Sequence, residues 1–446
     1  MNFFPDGRSR SAALFKRAIQ VLPGGNSRHS VFIQPYPIYA ASGAGSRITD
    51  VDGVERIDFI NNLSSLIHGH CHPKIVSAIE AQASRLISVS MPTEQEIELA
   101  ELICERLPGV ERIRFGNSGT EAVLYAIKAA RAFTGRSLIA KIEGAYHGGA
   151  ETASVSVNPD PARWGNHDFP ASVPDRGSSS GVGQDVIVLH MNEVESSRAI
   201  LRAHAERLAA VIIDPMVKNL GYALATPEFL AMLREETRMA DALLIFDEVY
   251  SFRLGFNGAQ GAVGIIPDLT ALGKVIGGGL PIGAVGGRAD IMEPLFDPRG
   301  SAPRLSHAGT FNANPLTMAA GVAAMRLLDR PAFDRLSALG ERLREGLREV
   351  VKIAGAKATV GGAASLACLL QLDAKPGTYR DVMATMAGDP DIGARSMGFF
   401  REMLNRGVLM TEYGFMALST AMDEADVDHC LTEALTVLRR MGGSGA

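Results

Sequence analysis

The chain reads as α/β: one large, mostly parallel sheet unit joined to a smaller α+β unit. Three observations predict this. From residue 112 onward, short apolar runs alternate with helical patterns, as in SLIAKIEG, DVIVLH, AAVIIDPM, ALLIFDEV and LTALG. Runs that are apolar without alternation belong to strands covered on both faces, the mark of a parallel sheet. After about residue 314 the pattern changes to long helices separated by apolar segments near 365–372 and 408–418. The length, 446 residues, also exceeds what one core normally serves.

The elements follow in order. Residues 10–22 form an amphipathic helix carrying Leu14, Ala18 and Leu22 on one face, stopped by Pro23-Gly24-Gly25. RITDVDGVERIDFI is a hairpin with Asp52-Gly53 in its turn. A helix runs from Pro73 to about 87 and another from about 94 to 107, closed by Pro108-Gly109. IRFGNSGT is a strand entering a turn, and EAVLYAIKAARAFT is a helix. Residues 157–186, rich in Pro, Gly, Ser and Asp, form a long loop of the kind that serves as a lid or a binding loop. SSRAILRAHAERL is a helix, glycines near 283–287 surround a further strand, and PLTMAAGVAAMRLLD is a long helix bridging to the C-terminal unit. Helices at 332–352 and 423–441 complete the chain.

Composition narrows the partners. There are 44 basic and 49 acidic side chains, so the formal charge is −5 and gives no electrostatic case for nucleic acid or an anionic membrane. Cys71, Cys104, Cys368 and Cys430 are scattered, with no CxxC pair. That spacing fits a reducing cytoplasm, and neither a secretory leader nor an apolar run long enough to span a bilayer is visible. His68, His70 and His72 alternate, but no acid or cysteine spacing accompanies them, and no metal is expected. Trp164, the one tryptophan, lies in the long loop, where it either closes over a site or packs; Arg253 reads as structural.

Four local patterns carry chemistry. Lys274 follows a strand and precedes a run of glycines; desolvated there it would be a nucleophilic amine, while in isolation it equally suits a surface turn. Asp247 ends the apolar LLIFD run, where a buried carboxylate needs a cationic partner or serves as a helix cap. Ser118-Gly119-Thr120 between strand and helix supplies hydroxyls, N–H groups and a helix dipole for an anion, and Ser118-x-x-Glu121 also fits a capping box. Tyr146 with His147, set among glycines at a strand end, can stack on a planar ring or pack a turn. An aldehyde cofactor with a phosphate and a pyridine ring would use all four.

In this combination the chain resembles the class III pyridoxal-phosphate aminotransferases, nearest the branch of glutamate-1-semialdehyde aminomutase and the β-amino-acid aminotransferases. The likeness runs through PGGNSR (23–28), TDVDGVERIDFI (49–60), GHCHPKI (69–75), FGNSGTEAV (115–123) and KIEGAYHG (141–148). It continues through DEVYSFR (247–253), PDLTALGKVIGGGLPIGAVGGR (267–288) and HAGTFNANPLTMAAG (307–321). The resemblance implies the aspartate-aminotransferase fold, called fold type I, in a homodimer whose chains share each active site. It implies that 1–65 joins the small domain, 66–320 forms the large cofactor-binding domain and 321–446 the C-terminal α+β small domain.

It further implies pyridoxal 5'-phosphate as cofactor. Lys274 would form the Schiff base and shuttle a proton, and Asp247 would hold the pyridine nitrogen protonated. Ser118, Gly119 and Thr120 would bind the phosphate. Tyr146 would stack on the ring with His147 beside it, and Val249 would pack on the other face. Thr310 would reach the partner subunit's cofactor phosphate, and Arg28 would grip a substrate carboxylate. The implied reaction is transfer of an amino group between an amine or amino acid, a β-amino acid included, and a keto acid. The alternative is a 1,2-aminomutase. The chain departs from the family in three places: Asp214-Pro215-Met216-Val217-Lys218 replaces a Glu-Pro-Val run, no arginine occurs in 411–415, and Ser64-Ser65 stands for the aminomutase Ser-Trp pair.

Overall fold

A computed structural model describes residues 4–300 and 305–442. The chain divides into two compact units. One comprises 1–73, 335–375 and 389–446; the other comprises 74–334 and 376–388.

The second unit is built on a seven-stranded sheet. Its spatial order is Arg112–Gly116, Gly283–Gly287, Leu269–Gly273, Leu243–Asp247, Leu208–Ile213, Leu138–Ile142 and Val186–Leu189. The last five are mutually parallel, whereas Gly283–Gly287 runs antiparallel to both of its neighbours. Successive side chains of the parallel strands enter opposite cores. Ile142, Ile213, Leu244 and Phe246 meet Phe229, Leu230 and Leu233 of the Pro227–Met239 helix. Ile139, Ile212, Leu243 and Ile245 meet Ala122, Ala126 and Ile127 of the Gly119–Thr134 helix. Both faces are dry, which is why these strands read as unbroken apolar runs.

The first unit holds a four-stranded sheet in the order Ala40–Ala44, Arg47–Asp50, Glu55–Asp58, Val408–Leu409. Gly53, at φ +79°, supplies the turn of the expected hairpin. A buried Arg56–Asp50 pair at 2.7 Å ties that hairpin together. A second sheet of three strands joins Thr359–Gly361, Leu366–Leu370 and Phe415–Ala417.

Several boundaries differ from expectation. The N-terminal helix ends at Ala18, the helix from Pro73 ends at Ala83, and the helix expected over 196–208 is Val194–Ala203. In the last case Leu208 already opens the next strand. The units divide at 73/74 and 334/335 rather than at 65/66 and 320/321, and the Pro315–Leu327 helix lies wholly within the larger unit. The three alternating histidines share no strand: His70 Nε2 faces Asp58 Oδ2 at 2.8 Å, and His68 Nδ1 meets Thr420 Oγ1 at 3.0 Å. Among the described residues, no helix is long and apolar enough to cross a membrane.

Candidate active site

Asp247 and Lys274 sit at the carboxyl ends of neighbouring parallel strands, with Asp247 level with Ala271 of the Lys274 strand. Ligands of such sheets bind outside this edge. Lys274 itself leaves its strand at φ +49°, a left-handed conformation that a side chain rarely adopts and that marks functional turns. Burial pushes its amine down to about 8, working against the attraction of Asp247 and Asp214; Lys218 and Arg253 push the same way as burial. Its Nζ lies over the Tyr250 ring, 4.5 Å from the centroid.

Asp247 is buried and doubly held. Oδ1 accepts the Val249 N–H at 3.1 Å, and Oδ2 meets His147 Nδ1 at 2.8 Å. Burial lowers the His147 pKa, opposed by the Asp247 hydrogen bond and reinforced by Lys141. A neutral ring that donates from Nδ1 leaves Nε2 bare, and that atom is buried with no hydrogen-bond partner. Beside Asp247 lies a second buried acid, Asp214, whose pKa is raised well above the usual carboxylate range by burial and then by the Asp247 charge.

The glycine-rich turns converge on the same edge. Ser118 caps the Gly119–Thr134 helix, its Oγ accepting the Glu121 N–H at 3.2 Å. The Glu121 carboxylate reaches back to the Asn117 N–H rather than to that of Ser118, so the box closes one residue earlier than expected. A Cβ on Gly119 would fall 2.8 Å from Val249 Cγ1, and one on Gly148 (φ +89°) 2.7 Å from Thr120 Oγ1. Thus Ser118, Gly119, Thr120, His147, Asp247, Val249 and Lys274 form one connected group. Tyr146 belongs to the same turn and is 64% exposed.

Thr310 and Arg28 are held by contacts of their own. Thr310 is exposed in a turn whose Asn312 Oδ1 accepts from Asn117 Nδ2 at 2.9 Å. Arg28 belongs to the other unit, where its Nη1 donates to Asn62 Oδ1 at 2.7 Å. Sequence reasoning passed over Tyr250 and Lys141. Lys141 is fully buried, gives hydrogen bonds to the Ala145 and Val155 carbonyls, and is pushed down to about 7 by burial. A lysine within an apolar run was the available signal. Arg253, read as structural, is fully buried and pushed down to about 10 by burial.

The donor set suits a phosphorylated pyridine aldehyde. A desolvated amine, a carboxylate one strand away, a helix N-terminus with two hydroxyls and a glycine edge without side chains are gathered on one rim. A fold type I sheet bearing this set defines a pyridoxal-phosphate enzyme.

The comparisons agree. A family model described as aminotransferase class-III matches residues 30–421. A glutamate-1-semialdehyde 2,1-aminomutase of Desulfitobacterium hafniense is 39% identical over 446 residues, covering 98% of this chain and 100% of the relative. An omega-transaminase from Sphaerobacter thermophilus is 44% identical with a TM-score of 0.94, covering 98% of this chain and 99% of that one. A β-phenylalanine aminotransferase from Variovorax paradoxus is 36% identical with a TM-score of 0.86, covering 98% and 94%. The chain belongs to the class III aminotransferases. It is an enzyme that uses pyridoxal 5'-phosphate, the cofactor present in a solved transaminase 41% identical over 98% of both chains at a TM-score of 0.89.

Proposed function

We propose that this enzyme is a transaminase that moves an amino group between an amine or amino acid, a β-amino acid included, and a keto acid. The observation that carries the reading is the 44% identity, across essentially the whole of both chains, to an omega-transaminase. A second reading, a 1,2-aminomutase, is favoured by the 39% identity to a named aminomutase. The two differ in one requirement. A transaminase needs a separate amino acceptor for continued turnover, whereas a mutase returns the amino group to the same carbon skeleton. Sustained single-substrate turnover without any added keto acid would overturn the first reading.

When bound, the cofactor supplies an electron sink for a carbanion. The side chains do the rest. Asp247 holds a proton at the ring nitrogen, and His147 fixes the orientation of its carboxylate. Lys274, neutral in good part near pH 8, anchors the cofactor and carries a proton at the substrate carbon. The Ser118 and Thr120 hydroxyls and the Gly119 N–H hold the phosphate at the helix N-terminus. Val249 and Tyr146 would pack against the ring.

Arg28 grips the substrate carboxylate through its planar fork. Arg28→Ala should raise KM for carboxylate substrates about 10-fold or more while sparing simple amines. Equal effects on both would remove it from the pocket. Thr310 reaches the cofactor phosphate of the second chain in a homodimer. The exposure of Phe311, Ile87 and Met91 on one unit, with Asn314 Nδ2 bonded to the Ile87 carbonyl, supports a covered face there. A monomeric protein in light scattering would exclude that assignment. The four free cysteines fit work in the cytoplasm.

A further inference from the structure

Residues 376–388 belong to the larger unit. Their helix, Tyr379–Gly388, begins with two residues that grip the end of the Leu138–Ile142 strand. Arg380 makes two bonds to the buried Glu143 carboxylate, at 2.9 and 3.1 Å. Burial alone would raise the Glu143 pKa, but the His190 ring, its Nδ1 3.3 Å away, and the Arg380 hydrogen bonds bring it below the usual range, so the carboxylate stays charged. Two further guanidinium hydrogens go to the Trp164 and Gly165 carbonyls, at 2.7 and 3.1 Å, and the guanidinium carbon lies over the Trp164 ring, 4.8 Å from its centroid. Tyr379 covers Gly144, where a Cβ would fall 2.3 Å from its ring. The Gly144 carbonyl accepts from Asn219 Nδ2 at 2.8 Å. Glu143 and Gly144 stand at the strand end just before Ala145, Tyr146 and His147, and their N–H groups are also held, by the Leu189 and Ser156 carbonyls at 2.9 and 2.8 Å.

We propose that Arg380 is a positioning residue: by pairing with Glu143 and capping the Trp164 loop, it latches the 379–388 helix to the strand end and holds Tyr146 and His147 in their cofactor-facing arrangement. The proposal rests on the functional reading for what those two residues face. Its action runs through Glu143 and Gly144 rather than through any reacting group. An arginine is needed because one planar fork must satisfy a carboxylate and two carbonyls at once, which a lysine ammonium cannot do.

Trp164 is the sole tryptophan, so its fluorescence reports the latch in protein free of cofactor. Arg380→Met should red-shift that emission and raise its quenching by acrylamide. It should also weaken cofactor affinity about tenfold and move the visible band of the bound cofactor. Arg380→Lys should keep the charge but restore only part of the band. The variant Glu143→Gln/Arg380→Met removes both charges of the pair, so thermal stability should recover while the altered band and affinity persist. Recovery of band and affinity together with stability would overturn the proposal, because the defect would then be one of folding alone. Trp164 quenching unchanged in Arg380→Met would overturn it as well, and that arm holds even if the parent takes up no cofactor and the functional reading falls.

Discussion

The two edges of the seven-stranded sheet treat their charges in opposite ways. At the amino-terminal edge, Asp268 is clamped between two arginines: Arg234 Nη2 at 2.9 Å from one oxygen and Arg288 Nη1 at 2.8 Å from the other. It also accepts the Leu244 N–H at 2.8 Å, so the acid ties two strands and a helix together. A cleft of about 510 Å3 opens there, lined by these residues with Arg238 and Asp241. Its acids and bases are matched. At the carboxyl edge Asp214 and Asp247 crowd each other, Lys274 is desolvated, and His147 Nε2 is buried without a partner. Matched burial locks structure, and unmatched burial holds groups in unstable charge states that a ligand can resolve.

The sharpest way to break this contrast is Lys274→Ala. It should remove the visible band of the enzyme-bound cofactor and lower turnover by at least about 1000-fold, with thermal stability kept or raised, because a desolvated amine is lost. A stability loss with activity retained would place Lys274 on the structural side. The pH dependence of cofactor uptake sharpens the same point. Only the neutral amine attacks an aldehyde, and burial sets its pKa at about 8 instead of the usual 10.5. Uptake by cofactor-free protein should therefore rise with pH and level off just above 8. A limb that keeps climbing towards 10 would mean the amine is solvated.

The opposite edge should respond in the opposite way. Asp268→Asn leaves Arg234, almost fully buried, without its counter-charge, and should cost about 3 kcal/mol of unfolding free energy. The folded fraction should keep the parent's kcat and KM. Urea unfolding followed beside kinetics separates the two quantities, and a change in kcat without a shift of the midpoint would erase the distinction between the edges.

How much of this was legible in the sequence follows from what local patterns encode. Apolar runs located the strands, and a run's end located Asp247 and Lys274, because an ionisable residue next to a dry strand lies at a sheet edge. Ser118 declared itself as an N-cap for the same local reason. Strand direction is not local: Gly283–Gly287 is antiparallel, and nothing in five consecutive small residues says so. The Arg380–Glu143 pair joins positions 237 apart, and the 376–388 segment belongs to the larger unit although its flanks belong to the other. Such contacts arise from three-dimensional closure, which periodicity cannot register. The boundaries at 73/74 and 334/335 escaped for that reason too, the second falling inside the continuous Arg330–Ala354 helix.

The smallest effect comes from the same amino-terminal edge, where matching is present but burial is not. Arg112, at the start of its strand, meets Glu293 at 2.8 Å, and both side chains are about half exposed, at 56% and 48%. Water already solvates each charge, so the pair gains little by meeting and loses some side-chain freedom. Glu293→Gln should shift stability by no more than about 0.5 kcal/mol, and less at high salt, where screening removes the attraction. Ion pairs thus contribute to this edge in proportion to their burial: Asp268 strongly, Glu293 hardly at all. A Glu293→Gln loss as large as that of Asp268→Asn would show that proximity of opposite charges, rather than their removal from water, is what stabilises this end of the sheet.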